Sequence, residues 1–343
     1  MTSSIGFLIL VALAANCVAA EPILRQTFAE DAQGWLAMGK PGATVTGGNG
    51  EMVFRYEASP KSLSFAVFPL AGTSIAAART IRFEVKTDAS FALGVVLSEK
   101  KPGGANYTAT IWSNAGDWQP VVLSVGDFLE GEGPNEPADS DSKLDLDQVE
   151  GVGLIDISQV FSRPSDGNSP VRMRSHMGDH SIRIRNFEIS ADVPPASPQR
   201  GWFSMSDARI SGAAEATAIQ YEQQADKPVA FLRQLTPATH KGATHIAFDV
   251  ASAKGGQFVL SLTQARHHGP EGARFIVDFF VPPGDRLQHR EIVLTALNRD
   301  ENGPAAKNGQ LNLDDLRMLT IIDISQESGT NTLSVANIRF ITK

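Results

Sequence analysis

Cysteine is nearly absent: Cys17 is the only one in 343 residues, and it falls inside a short apolar leader. The chain after that leader has no thiol and no disulfide, which excludes cysteine nucleophiles and cysteine–zinc sites. An exported chain built this way is held by its core alone, and about 320 residues are ample for that. Aromatic residues make up only 7%, modest for a protein that stacks rings on sugars. No basic tract occurs, and 38 Asp and Glu against 30 Lys and Arg leave a net charge of −8. Such a chain gains nothing from phosphate backbones, which sets nucleic acid aside as a partner. No Gly-x-Ser-x-Gly, His-Glu-x-x-His or phosphate-cradling glycine loop is found. What is present is a 42% hydrophobic chain, too apolar for disorder and long enough for about two domains.

The first twenty residues stand apart. Ile5 to Ala15 is an almost unbroken apolar run, and Val18-Ala19-Ala20 places small residues before Glu21. This predicts a signal peptide over 1–20, although Met1 to Ser4 carries no Lys or Arg. The run is too short for a bilayer span, and no later stretch reaches 18 apolar residues. Cleavage after Ala20 is favoured over lipidation at Cys17, because Asn16 replaces the small residue that a lipidation site prefers. The expected location is secreted or periplasmic.

The rest of the chain repeats itself. Lys143 to Val149 and Leu154 to Gln159 match Gln310 to Leu316 and Ile321 to Gln326 at an offset of 167. Gly34-Trp35 pairs with Gly201-Trp202, Phe83-Glu84-Val85 with Phe248-Asp249-Val250, Val96-Leu97-Ser98 with Val259-Leu260-Ser261, and Asn186-Phe187 with Asn337-Ile338. Thr80 to Lys86 and Ser181 to Ile189 alternate apolar and polar residues, the period of a strand buried on one face. Turn-forming clusters such as Lys101-Pro102-Gly103-Gly104 separate these runs. The expected fold is all-β: two tandem sandwiches over 21–192 and 199–343, joined by a Pro-rich linker at 193–198.

The order of blocks carries a resemblance. Phe28 to Trp35, a Phe-Glu-Val strand, Gly116-Asp117-Trp118 to Phe128, the Leu144-Asp145-Leu146-Asp147-Gln148 turn, the Gly151 to Ile157 strand and a closing Ile184 to Ile189 run resemble galactose-binding-like jelly rolls. That group includes bacterial carbohydrate-binding modules and the domain of complex I assembly factors. The second copy departs where His289 stands for Trp118 and where the Phe-x-Glu-Asp opening is lost. The resemblance implies jelly rolls that bind glycans on a concave sheet, with a structural calcium near the joined chain ends at Glu30, Asp31 and Glu188.

Sugar contact needs aromatic faces and hydroxyl-binding polar groups. Tyr107, Trp112 and Trp118 are the candidates of the first copy, with Arg174 and His176. Arg266, His268 and Asp278 are those of the second, beside Phe275, Phe279 and Phe280. Tyr107 and Trp112 lie five apart on one strand and point to opposite faces, so one is expected in the core and the other exposed. Asp156 and Asp323 fall at equivalent points of an apolar strand and read as buried, hydrogen-bonded structural groups. Asp139 to Lys143 opens like a calcium loop, but Lys143 stands at a ligand position, which excludes an EF-hand. The favoured function is a secreted, non-catalytic binder of an extracellular polysaccharide. The alternatives are a structural or assembly protein, for which exposed apolar patches speak, and a jelly-roll lyase or hydrolase, for which a cluster of Tyr107, His176 and Arg174 or of Arg266 and His268 speaks.

Overall fold

The computed structural model describes residues 21–59, 63–100, 104–131, 139, 141–161, 177–193, 201–212, 216–225, 227–235, 240–264, 272–301 and 309–343. The calls for a signal peptide at 1–20 and for most of the linker, together with Arg174, His176, Arg266 and His268, lie outside the described residues.

The first sandwich contains β1 (Leu24–Gln26), β2 (Leu36–Met38), β3 (Thr44–Gly48), β4 (Glu51–Ala58), β5 (Phe65–Pro69), β6 (Thr80–Thr87), β7 (Phe91–Glu99), β8 (Asn106–Ser113), β9 (Gln119–Ser124), β10 (Leu129–Glu130), β11 (Val149–Asp156) and β12 (Gly178–Ser190). The second contains β13 (Trp202–Ser204), β14 (Ala208–Gly212), β15 (Thr217–Gln223), β16 (Val229–Gln234), β17 (His245–Ser252), β18 (Gly256–Gln264), β19 (Arg274–Val281), β20 (Gly284–Val293), β21 (Asn298–Arg299), β22 (Leu316–Asp323) and β23 (Gly329–Ile341). One sheet of the first sandwich runs β3-β4-β12-β6-β9, with β1 also on β12, and the other runs β10-β8-β7-β11-β5-β2. The second sandwich repeats both orders, as β14-β15-β23-β17-β20 and β21-β19-β18-β22-β16-β13. Advancing each label from β2 onward by eleven converts one into the other. The chain is therefore two tandem jelly-roll β-sandwiches, as its sequence repeat predicts. Among the described residues no helix is long and apolar enough to cross a membrane.

Inward residues of the alternating strands make two cores. Phe28, Phe54, Phe91 and Phe187 fill the first, and Trp202, Phe231, Phe248 and Phe258 fill the second, all essentially inaccessible. A polar brace crosses each core. The Tyr56 hydroxyl donates to Asp156 Oδ2 at 2.7 Å, and Asp156 Oδ1 accepts from the Ser158 N–H at 2.9 Å. In the second copy the Tyr221 hydroxyl and Gln223 Nε2 donate to Asp323 Oδ2, and the Ser325 N–H donates to Oδ1 at 2.9 Å. These braces tie β4 to β11 and β15 to β22, strands of opposite sheets, and satisfy a carboxylate that burial would otherwise penalise. The expectation of structural aspartates holds.

The repeated Asn marks a bulge. Asn186 and Asn337 have φ of 53° and 52°, the left-handed region that Asn tolerates better than most residues. Each lies where the register of β12 or β23 shifts against its neighbour. Asn186 Nδ2 donates to Glu84 Oε2 at 2.9 Å, and Asn337 Nδ2 to Asp249 Oδ2 at 2.6 Å. The two Phe-acid-Val motifs and the two Asn motifs of the sequence are thus partners.

Candidate functional site

The sheet face turned away from each core is where a jelly roll can meet a ligand, and alternation decides which side chains reach it. Tyr107 does not. It points inward from β8, is 3% exposed, and its hydroxyl donates to Asp139. Burial, reinforced by the Asp139 charge, raises its pKa above the ordinary phenol range.

Trp112 points to the opposite face, as spacing requires, but the expected exposure is corrected. Trp112 is 5% exposed because it packs into the hydrophobic cluster of the second sandwich, together with Ala92 and Ile157 of the first. Its Nε1 donates to Asn114 Oδ1 at 3.1 Å. Asn114 then clasps the backbone of β14: Oδ1 accepts from the Ile210 N–H at 3.0 Å, and Nδ2 donates to the Ile210 carbonyl at 2.6 Å. Nearby, the Thr110 N–H donates to Gln234 Oε1 at 3.3 Å. The β7–β8 end of the first outer face is therefore an inter-sandwich joint, and Trp112 is its anchor.

The β2–β5 end of that face is apolar. Leu36 and Met38 on β2 are 57% and 50% exposed, and the register aligns them with Val67 and Phe65 on β5, beside Ile155 on β11. The corresponding face of the second sandwich is different. Phe279 points inward against Phe248 and Phe258, so its neighbour Phe280 points out and is 58% exposed. Register pairs Phe280 with Gln257 and the exposed Asp278 with Val259. Thr263 and Thr320 share this face by the same alternation, as do Val259 and Ile322, while Ser261 there is buried. The result is an aromatic platform flanked by a carboxylate, an amide and hydroxyls.

Trp118 precedes β9 on the other sheet. The Arg185 guanidinium lies 4.4 Å from its ring centre and pairs with Glu84 at 2.7 and 3.0 Å. The Arg185 hydrogen bond is the largest influence holding the Glu84 carboxyl below its ordinary range. His289 occupies the matching place in the second copy, with Nδ1 at 2.7 Å from Asp249 Oδ1 and Nε2 at 3.1 Å from Glu291 Oε1. Asp249 first, then Glu291, raises its pKa.

Glu30, Asp31 and Glu188, the residues expected to hold calcium, do not gather into one cluster of acidic side chains. Glu30 and Asp31 are exposed in the β1–β2 loop, where Asp31 Oδ1 accepts from the Gln33 N–H at 2.7 Å. That loop runs directly over Gly47, whose missing side chain leaves room for the Asp31 backbone. Glu188 is held between Arg25 at 3.1 Å and Arg82 at 3.9 Å, so its charge is already matched by cations that would repel a metal. Among the described residues no three His, Cys, Asp or Glu side chains converge on one point.

One more groove lies at the end of the first sandwich, about 490 Å³, with Tyr56, Glu57, Asp88 and His180 on its walls. His180 Nδ1 sits 3.1 Å from Asp88 Oδ2, but the Tyr56 hydroxyl is committed to Asp156. The sequence reading missed Tyr56 and Tyr221 as brace partners, although they stand 165 apart in a chain that repeats near 167. It also missed Asn114 and Gln234, whose partners lie across the joint, and Arg233, which lies over the Trp202 ring of its own sandwich.

No protein-family model matches this sequence, and no curated protein matches it. Solved structures of similar fold include a family 11 carbohydrate-binding module from Clostridium thermocellum, in complex with a β-1,3-1,4-mixed-linked tetrasaccharide. It is 18% identical with a TM-score of 0.35, over 41% of this chain and 88% of that one. The tandem of two family 22 carbohydrate-binding modules from Paenibacillus barcinonensis Xyn10C is 10% identical with a TM-score of 0.32, over 96% of this chain and 100% of that one. A family 29 carbohydrate-binding module is 15% identical with a TM-score of 0.31, over 50% and 87%. The jelly-roll description of this chain rests on its own strand order.

Proposed function

We propose that the chain is an exported, non-catalytic glycan-binding protein whose main contact surface is the outer face of β22, β18 and β19. Phe280 carries this reading: a large aromatic ring on an ordered strand, more exposed than buried, beside Asp278 and opposite Gln257. Its face can stack on the C–H side of a sugar ring while the carboxylate and amide take hydroxyls. A central aromatic anchor with a polar surround is the usual source of binding energy at such surfaces. Trp118, with Arg185 against its ring, is a second aromatic for the same polymer, and two contacts on one chain raise avidity when both engage.

The test is affinity electrophoresis of the full chain through gels containing neutral and acidic polysaccharides, beside Phe280→Ala. Retardation that Phe280→Ala weakens about tenfold or more supports the reading. Unretarded migration in every gel rejects it. Export is tested separately, by N-terminal sequencing of the extracellular protein, which is expected to begin at Glu21.

A second reading, contact with another protein, is favoured by the exposed Leu36 and Met38 beside Phe65 and Val67. Light scattering on the wild type and Leu36→Lys separates the two. A concentration-dependent dimer abolished by Leu36→Lys favours the protein contact.

A further inference from the structure

The two sandwiches enclose a cleft of about 210 Å³ at their joint, lined by Thr110, Asp127 and Leu129 of the first and Arg233, Gln234 and Leu235 of the second. Arg233 is half-buried on β16, its guanidinium carbon 5.9 Å from the centre of the Trp202 ring. Among the described residues no carboxylate pairs with it and no acceptor takes its hydrogen bonds. Burial alone acts on its charge, lowering its pKa from the ordinary value. Asp127, the carboxylate in the same cleft, accepts from the Ser124 N–H at 2.7 Å and the Ser124 hydroxyl at 3.2 Å.

The ring under Arg233 is unsatisfied as well. Trp202 Nε1 is buried with no acceptor among the described residues, whereas Nε1 of its counterpart Trp35 donates to Gln26 Oε1 at 2.7 Å. A half-buried cation and a fully buried indole N–H, both without acceptors among the described residues, stand on paired strands in one copy of a repeat whose other copy satisfies its indole. Unpaired buried donors are destabilising and rare, and they call for a missing acceptor. Gln234, whose Oε1 accepts from Thr110, keeps its NH2 to donate. The cleft holds the volume of about seven waters, enough for an acidic group and part of a sugar ring.

We propose that Arg233 binds the oxyanion of an acidic sugar in this cleft, so that the glycan recognised by the protein carries uronate or sulfate groups. The inference rests on the glycan reading above and adds the substrate class. The planar guanidinium offers paired N–H groups that match two oxygens of one acid. The chain's net charge of −8 provides no long-range attraction for a polyanion, so recognition depends on this local cation.

The test has two arms, each on the full chain. In the first, galacturonate, its neutral methyl ester and galactose 6-sulfate are titrated while the Trp202 indole N–H signal is followed by NMR, assigned by its loss in Trp202→Phe. In the second, wild type, Arg233→Gln, Arg233→Lys and Phe280→Ala migrate through gels of polygalacturonate, its methyl ester and a sulfated galactan. The acids are expected to move the Trp202 signal and the ester not, with acidic gels retarding wild type about tenfold more than the ester gel. Arg233→Gln is expected to lose that preference with its melting temperature undiminished, while Arg233→Lys keeps part of it. If Arg233→Gln lowers the melting temperature, Arg233→Lys carries the comparison, and its preference must fall below that of wild type.

A Trp202 signal unmoved by either acid, or an acidic preference that survives in Arg233→Gln, overturns the proposal. Movement of the Trp202 signal by free acids without retardation in any gel keeps the anion site and rejects the glycan reading. Retardation by neutral polymer that needs Phe280 but ignores Arg233 does the reverse. Uronate acting at lower concentration than the sulfate ester assigns the carboxylate as the natural group, and the opposite order assigns the sulfate.

Discussion

The first sandwich places the outer face of its β10-β8-β7-β11-β5-β2 sheet against a neighbour, and the second leaves the corresponding face open. Trp112 of β8 is buried in the partner's core, while Phe280 of β19 stands in solvent. At the other edge the contrast reverses. Phe203 of β13 is 3% exposed, whereas Leu36, its counterpart on β2, is 57% exposed. Both differences come from one asymmetric joint, in which the β13 edge of the second copy covers the β7–β8 end of the first. Duplication supplies two equal scaffolds, and docking makes their faces unequal without any change of strand order. A function assigned to one copy therefore does not transfer to the other by alignment.

The most direct way to break the comparison is to undo the joint. Trp112→Ala removes a buried aromatic anchor and is expected to cost about 3–5 kcal/mol of docking. Each sandwich should keep its far-UV spectrum while small-angle scattering shows a larger radius of gyration. Unchanged scattering would mean that the joint does not need Trp112. Asn114→Ala, which loses two hydrogen bonds to Ile210, should cost about 1–3 kcal/mol by the same measure.

Replacing the braces sharpens the comparison inside the cores. Asp323→Ala strands Tyr221 and Gln223, while Asp156→Ala strands Tyr56. At about 1–3 kcal/mol for each stranded buried donor, Asp323→Ala is expected to destabilise by about 2–5 kcal/mol and Asp156→Ala by about half as much. Calorimetry should show the lower-melting transition moving to the mutated sandwich in each case. Equal losses would show that Gln223 contributes nothing to the brace.

These elements differ in how far the sequence discloses them. Alternation in runs such as Ile81 to Val85 is imposed by burial of one sheet face, so strands and inward residues are legible locally. The repeat extends this to topology, because Asp156 and Asp323 must occupy the same place. Their tyrosine partners are a hundred residues away and need the fold. Trp112 obeys the strand rule, but what meets its outward face is another domain, which no local pattern encodes. Arg233 shares the inward side of β16 with Phe231, two places before it, and pairs in register with Trp202; that a cleft opens beside it shows only in the fold. Phe280 was within reach of the sequence, since of two adjacent strand phenylalanines one must face outward.

The smallest expected effect tests whether the matched positions Trp118 and His289 have diverged in their response to pH. In the second copy His289 sits between Asp249 and Glu291, whose carboxylates raise its pKa above the ordinary value. A group that binds its proton more tightly when folded stabilises the fold below its unfolded pKa of about 6.5. That contribution is lost as pH rises through the higher folded pKa. In the first copy Arg185 takes the cationic role against Glu84 and stays charged throughout this range. Raising pH from about 6 to about 8 should therefore slightly lower the melting temperature of the second sandwich, more than that of the first. The group is exposed at the surface, so salt should weaken the effect. Calorimetric scans of His289→Gln across the same range should lose the extra slope. A slope that persists in His289→Gln assigns the pH response to another group and removes His289 as the point where the two copies differ.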